Sequence, residues 1–190
     1  MTVTEARAAA ETALLDAAER LLVELGHAGV TTRRVAEAAG VNHGLVHYYF
    51  GSIEHLLVRV LERFTARLTE RQRELYAAPV PFREKWRTAM RYLLQDDAAY
   101  EKVWLELQAL AWNRPELRDR VAAVDAEWRR VLGEAFAEPR ERYGIEMPLE
   151  ALVSLITTFN LGIMLERQVG IEAGHRELLD WIEGWLDERD

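Results

Sequence analysis

An all-α fold is what the sequence predicts, on three observations: apolar residues recur at three- and four-residue spacing along the chain, prolines and glycines punctuate the runs, and no strand-like alternation occurs. With 190 residues, 49% of them apolar, and five prolines, the chain can bury a substantial core and is not a disordered segment. Cysteine is absent, which excludes disulfides, thiolate metal sites and cysteine nucleophiles together. No apolar run approaches membrane-spanning length, and the N-terminus is charged and alternating rather than signal-like, so a cytoplasmic protein is expected. The formal charge of -8 weighs against nucleic acid as a partner, but one local face can still carry DNA binding.

Residues 4–25 form the first predicted helix, with a stripe of Leu14, Ala17, Ala18, Leu21, Leu22 and Leu25, and Gly26 ends it. The next two helices are short. Val35, Ala36 and Ala39 mark one, Leu45, Val46 and Tyr49 the other, with only Gly40, Val41 and Asn42 between them. So tight a break sends the second helix off at a steep angle, which is the helix-turn-helix arrangement. Thr31 is placed to cap the first of the pair through its hydroxyl, Gly40 to stop it in the left-handed conformation, and Asn42 to cap the second. One helix is then braced while the other, running from His43 to Tyr49, is presented to a DNA groove.

Ser52 caps a long helix that runs from Ile53 through Leu57, Leu61 and Leu68 towards Tyr76, with Glu54 in its first turn, where a carboxylate suits the helix dipole. Pro79 and Pro81 stop it. Helices follow over 82–95, 98–112 and 115–137, whereas 138–147, with Pro139, Gly144 and few core residues, reads as a loop. The last two helices are 148–169 and 174–186. The pattern gives about nine helices, a three-helix N-terminal head and a larger C-terminal helical bundle, divided as 1–52 and 53–190.

Helix 148–169 is apolar most of the way round, with Leu149, Leu152, Val153, Ile156, Phe159 and Ile163 on one face and Ala151, Leu155, Thr158, Gly162 and Leu165 on another. Such a helix must be covered on both sides. Leu178, Ile182 and Trp185 repeat the problem in the last helix. A second copy of the chain can cover both, through Leu152, Ile156, Phe159, Ile163, Leu178, Ile182 and Trp185, or the two helices simply complete the monomer core. A dimer also supplies the two heads that reading two half-sites requires.

The run from Thr31 to Val41, followed by Gly44 and by His47 to Leu57, resembles the N-terminal signature of the tetracycline-repressor (TetR) family of transcriptional regulators. The match extends over 14–61, with turn, recognition helix and following cap in register; beyond it the chain agrees only in being helical and of suitable length. The resemblance implies a homodimeric regulator, usually a repressor, that binds a (pseudo)palindromic operator and is released when a small molecule enters the helical body. Thr31, Arg33, Arg34, Asn42, His43, Gly44, Leu45, His47, Tyr48 and Tyr49 are the expected DNA-contacting residues, with His43, Leu45 and Tyr48 nearest base edges and His47 and Tyr49 nearest phosphates, although Tyr49 can equally be core. The expected pocket for a mostly apolar or aromatic effector is lined by Trp86, Met90, Tyr100, Trp104, Gln108, Trp112, Trp128 and Phe159, and the helix from Ile53 to Tyr76 is the natural lever to the head. For each of these pocket residues ordinary core packing is the competing reading.

The chain departs from the family pattern at three positions: Ile53 stands where members usually carry a phosphate-binding lysine, Arg34 where a carboxylate often completes a capping box, and His47 where an aromatic is common. Between Thr31 and Val60, Arg33, Arg34 and Arg59 face Glu37 and Glu54, a surplus of one cation. That is thin for a surface that must neutralise several phosphates. His43, His47 and His55 can supply the rest, because an imidazole ordinarily titrates near ~6.5 and a neighbouring phosphate favours its charged form. Operator affinity is then expected to rise as pH falls from about 8 to about 6, unless these histidines make ordinary neutral contacts.

A histidine pair four residues apart can hold zinc, but no third ligand is evident, and neither a metal nor a cofactor is expected. An enzyme is not expected either: Ser52 reads as a cap, Ser154 lies in an apolar helix, and neither has an evident base beside it. The alternative is a helical ligand-binding or protein-interaction module whose head has lost DNA binding.

Overall fold

The computed structural model describes residues 2–189, which contain helices and turns and no strand. The α-helices are α1 (Val3–Leu25), α2 (Thr32–Ala39), α3 (Gly44–Phe50), α4 (Ile53–Ala77), α5 (Phe82–Arg91), α6 (Ala98–Trp112), α7 (Pro115–Arg142), α8 (Leu149–Gln168) and α9 (His175–Asp187). A short 3-10 turn, His27–Gly29, follows α1, and a π-turn, Tyr92–Asp96, follows α5. The chain forms two compact units, one made of residues up to 66 together with 99–124, the other of 67–98 together with 125 onwards. Helices α4 and α7 each supply residues to both.

The first unit is built on aliphatic side chains removed from water. Leu14, Ala18 and Leu22 of α1, Val35 of α2, Val46 of α3, Leu56, Val60 and Leu61 of α4, and Val103 and Leu107 of α6 are all 0% exposed. Each returns at helical spacing, so every helix contributes one stripe to a single core. Ion pairs rim it: Arg63 donates to Asp16 at 2.7 Å and to Glu19 at 3.0 Å, and Arg120 donates to Glu62 at 2.8 Å. Gly26 ends α1 at φ 70°, a positive φ that favours glycine, with a carboxylate oxygen of Glu106 2.7 Å from where a Cβ would stand. The same carboxylate accepts from the His27 amide.

The second unit is aromatic. Phe82, Trp86, Tyr143 and Leu186 form its buried centre, with Tyr76 and Phe136 against them. Phe82 meets Phe136 edge-on at 5.2 Å and stacks on Tyr76 at 6.1 Å. Arg83 and Arg87 of α5 pair with Asp187 and Glu183 of α9.

Four sequence expectations are corrected. α1 begins at Val3 rather than Thr4, because Thr2 and Glu5 form a reciprocal capping box. The helix expected over 82–95 changes character at Tyr92: Asp97 donates its amide to the Tyr92 carbonyl at 3.0 Å, the wide i to i+5 pattern of a π-turn. Arg167 of α8 holds that turn, donating to the Leu93 and Leu94 carbonyls at 3.0 and 2.6 Å. The loop expected over 138–147 is helical as far as Arg142, with Pro139 inside α7. Tyr143, 7% exposed against Phe82 and Trp185, anchors the end of that extension and offsets the backbone bond that proline removes. Finally, α8 at 20 residues does have the length and apolar composition of a membrane-crossing helix, since its charges, Glu150, Glu166 and Arg167, sit at its ends.

Candidate functional site

The helix-turn-helix takes the geometry the sequence implies. Thr31 Oγ1 accepts from the Arg34 amide at 3.3 Å, and Gly40, in the left-handed region at φ 68°, donates back to the Glu37 carbonyl at 3.1 Å. Val35 and Ala36 of α2 and Val46 and Phe50 of α3 point into the core. Asn42 acts one residue earlier than a standard cap: its Oδ1 accepts from the Gly44 amide at 2.8 Å, an Asx-turn, and His43 occupies the cap position.

With Val46 and Phe50 fixed inward, the rest of α3 faces water. Asn42, His43, Gly44, His47 and Tyr48 are exposed, as are Thr31, Arg33 and Arg34, while Leu45 and Tyr49 are half-buried against the core. Tyr48, 65% exposed, is the most open of the large side chains on this surface and meets Tyr49 edge-on at 5.1 Å. His47 Nδ1 lies 3.0 Å from the Gly51 carbonyl; that acceptor fixes the proton on Nδ1 and turns Nε2 outward. Arg34 is anchored on the protein itself, donating to the Gly29 carbonyl at 2.9 Å.

Two features of this surface escaped sequence reasoning. Ile53 is half-buried and packs against the first unit's core, so its departure from a cationic residue serves packing. Arg7 of α1, exposed, sets its guanidinium 5.4 Å from the Tyr48 ring and 5.7 Å from the Tyr49 ring, which brings a cation from a distant part of the sequence to the recognition helix. Its signal was the helical phase of α1, readable only once the packing of α1 against α3 is known.

The second unit contains a cavity of about 480 Å³, lined by apolar and aromatic side chains with three polar residues. Of the eight residues expected at a pocket, Trp86, Met90, Trp128 and Phe159 line this cavity. The other four expected pocket residues sit in the first unit. Tyr100 has its hydroxyl 3.4 Å from that of Thr65 and its ring against Phe64, Trp104 packs on the aliphatic core, Gln108 is half-buried, and Trp112 is 76% exposed at the end of α6. Val103 and Leu107 explain this, because their burial commits the rest of α6 to the first unit.

The polar lining residues, Gln72, Asp97 and Asn160, were not foreseen. Gln72 is 4% exposed and its Oε1 has no hydrogen-bond partner; Asn160 Oδ1 is likewise buried and unpaired. A polar residue interrupting an apolar stripe was the available signal: Gln72 lies between Leu68 and Tyr76, Asn160 between Ile156 and Met164, each at four-residue spacing. Asp97 is committed to Arg71, which donates to both carboxylate oxygens at 2.6 Å and stacks 3.9 Å over Tyr92. Burial raises the Asp97 pKa, against the pull of Arg71. Burial also raises that of the Tyr76 hydroxyl.

The residues expected to meet a second copy occupy different environments. Leu152 and Ile163 are 8% and 3% exposed within the single chain, and Ile156, Phe159, Ile182 and Trp185 turn towards the cavity. On α8, Leu165 at 49% and Val169 at 72% lie open away from the cavity, whereas Leu155, 54% exposed, lines it. On α9, Leu178 at 42% and Trp181 at 66% exposed line the cavity as well. Both faces of α8 are apolar, so periodicity alone does not choose between them.

Residues 14–60 match the sequence profile of the bacterial regulatory proteins, tetR family. The N-terminal domain of the chain belongs to this family. The matched tetR-family stretch runs from Leu14 on α1 to Val60 on α4 and contains the whole helix-turn-helix. Over 184 residues the chain is 28% identical to the HTH-type transcriptional repressor AcnR of Corynebacterium glutamicum, covering 93% of this chain and 92% of that protein. A candidate transcriptional regulator from Rhodococcus sp. RHA1 has the same fold, with a TM-score of 0.78, 22% identity and 93% of each chain covered. So does the regulator FadR from Bacillus subtilis, solved in complex with stearoyl-CoA, at a TM-score of 0.70, 19% identity and coverage of 92% of this chain and 96% of that one. The relative and the two structural neighbours are named as transcriptional regulators, and the chain shares the tetR-family helix-turn-helix with that group.

Proposed function

We propose that this regulator is a cytoplasmic repressor that binds a (pseudo)palindromic operator as a homodimer and leaves it when a small, mostly apolar ligand occupies the cavity of the second unit. The observation that carries the reading is α3, anchored inward by Val46 and Phe50 while His43, His47 and Tyr48 stand outward, with Arg7 beside Tyr48 and with Arg33 and Arg34 exposed on α2. The name of the Corynebacterium relative supports repression, and the stearoyl-CoA complex of the Bacillus neighbour supports ligand binding by a helical body of this fold. The exposed apolar residues Leu165 and Val169 of α8, with Leu155 and Trp181 exposed where they line the cavity, support a second copy, since large exposed apolar side chains mark an interface. Gln72 and Tyr76 at the cavity belong to the same continuous helix, α4, whose first turn follows the recognition helix, so a ligand acts on an element that begins at the reading head.

Titration of the protein against its own upstream DNA, with salt and competitor varied, tests the reading. The expected result is a shift that resists competitor and weakens steeply with salt. Trp181→Glu should convert the protein to a monomer on size-exclusion chromatography and abolish the shift; a variant that stays dimeric removes this face from the proposal. Ile53 in the core and the thin local charge favour one second reading, a ligand-binding or interaction module without specific DNA binding. Absence of a specific shift under every salt condition would establish it in place of the repressor.

A further inference from the structure

We propose that the cavity of the second unit selects uncharged apolar molecules that carry a hydroxyl, carbonyl or amide group, held by the carboxamides of Gln72 and Asn160; this rests on the cavity being the effector site. The argument begins with what the lining lacks. Among the described residues that line it there is no lysine or arginine, so a carboxylate, phosphate or acyl thioester of a phosphorylated carrier would enter an apolar enclosure with no counter-charge. The one ionisable carboxylate at the wall, Asp97, is already engaged through both oxygens by Arg71, so a cationic ligand finds its charge spent.

The carboxamides remain. Gln72 on α4 and Asn160 on α8 both line the cavity, and the carbonyl oxygen of each is buried without a partner. An orphaned buried amide is costly, and apolar packing would serve these two positions better than glutamine and asparagine do if nothing were bound there. Each carboxamide offers both donor and acceptor and can turn to present either, so together they suit a neutral group that also does both. Trp86, Trp128, Phe159 and Trp185 supply flat apolar walls for the remainder of the molecule. A volume of about 480 Å³ accommodates a compact polycyclic body.

A set of probes matched in shape tests this: pyrenemethanol, pyrenecarboxylate, pyrenemethylammonium and pyrene itself, titrated into the full-length protein and followed by energy transfer from tryptophan. Pyrenemethanol is expected to bind at least about tenfold more tightly than either ion. It should also exceed pyrene by about fivefold, an advantage that Gln72→Leu and Asn160→Leu each reduce. The near-isosteric Gln72→Glu should reverse the ranking in favour of the ammonium probe. Equal or tighter binding of either ion to the unmodified protein overturns the selectivity while leaving the cavity as an effector site. An alcohol advantage that survives in both leucine variants removes the carboxamides from the proposal. Binding of none of the four probes overturns the selectivity and the effector site together.

Discussion

Leu57 and Tyr76 lie on the same helix, and the space around them differs in kind. Leu57 is 1% exposed in a core of leucine, valine and alanine, with Leu14, Leu22 and Leu61 beside it at 0%. Tyr76 stacks on Phe82 and borders a cavity of about 480 Å³ that is also lined by two carboxamides whose buried oxygens have no partner. Interdigitated aliphatic side chains hold one geometry, which is what a reading head needs to keep α3 in register with a groove. Large flat rings separated by an opening hold a shape without filling it, at the cost of packing energy. Stability is concentrated in one unit and room for a ligand in the other.

The largest effect expected from this contrast is in the aliphatic core. Leu57→Ala should lower unfolding stability by about 2–5 kcal/mol in chemical denaturation; a loss under about 1 kcal/mol would mean this core relaxes around a cavity as easily as the aromatic unit does. A pair of enlargements sharpens the contrast further. Ala18, 0% exposed in the first unit, and Ala89, which lines the cavity, should respond differently to leucine. Ala18→Leu should cost about 1–3 kcal/mol, whereas Ala89→Leu should cost less than about 1 kcal/mol and weaken pyrenemethanol binding by filling the space. Similar losses in the two variants would show that the cavity is closed to side chains.

Smaller effects belong to helix ends in the first unit. Thr31→Ala removes the hydroxyl that accepts from Arg34 and should cost about 1 kcal/mol, with operator affinity falling as α2 frays. Glu54 gives the smallest. Its pKa is held below the ordinary 4.5 by a hydrogen bond from its own backbone amide, then by the Ser52 hydroxyl and the Arg114 guanidinium, against the effect of burial. A lowered folded-state pKa means the unfolded chain binds the proton more readily, so the contribution is full above about pH 4.5 and disappears as pH falls through the folded value. Denaturation midpoints of Glu54→Gln should therefore trail the parent at neutral pH and converge with it in acid; an unchanged gap across that range would assign the difference to packing.

Legibility in the sequence followed the distance over which each feature is determined. Thr31, Gly40 and Ser52 are settled by bonds to residues within three or four positions, and those were readable with their roles. Pro139 misled because its local meaning, a helix stop, is overridden by Tyr143 packing on residues from other parts of the chain. The division of aromatic residues between core and cavity was not readable, since Tyr100 and Trp86 share composition and periodicity and differ only in which unit their helix joins. For α8 the problem was symmetry: with apolar residues on both faces, nothing in the spacing says that Ile163 turns in and Leu165 out. Gln72 and Asn160 were visible as interruptions of apolar stripes, but an interruption acquires meaning only beside an empty volume.

The π-turn at Tyr92–Asp96 can be viewed as a single-residue insertion carried within a helix. One residue is worth about 100° of helical phase, so the insertion decides which stripe of the preceding helix is presented. Ala89, Met90 and Leu93 line the cavity in the phase it sets, and Arg167 secures that phase by binding the Leu93 and Leu94 carbonyls. A chain lacking one residue here would rotate another stripe towards the ligand with no substitution in the lining at all. Change in chain length is thus a route to an altered lining in a cavity of this construction, alongside the exchange of its side chains.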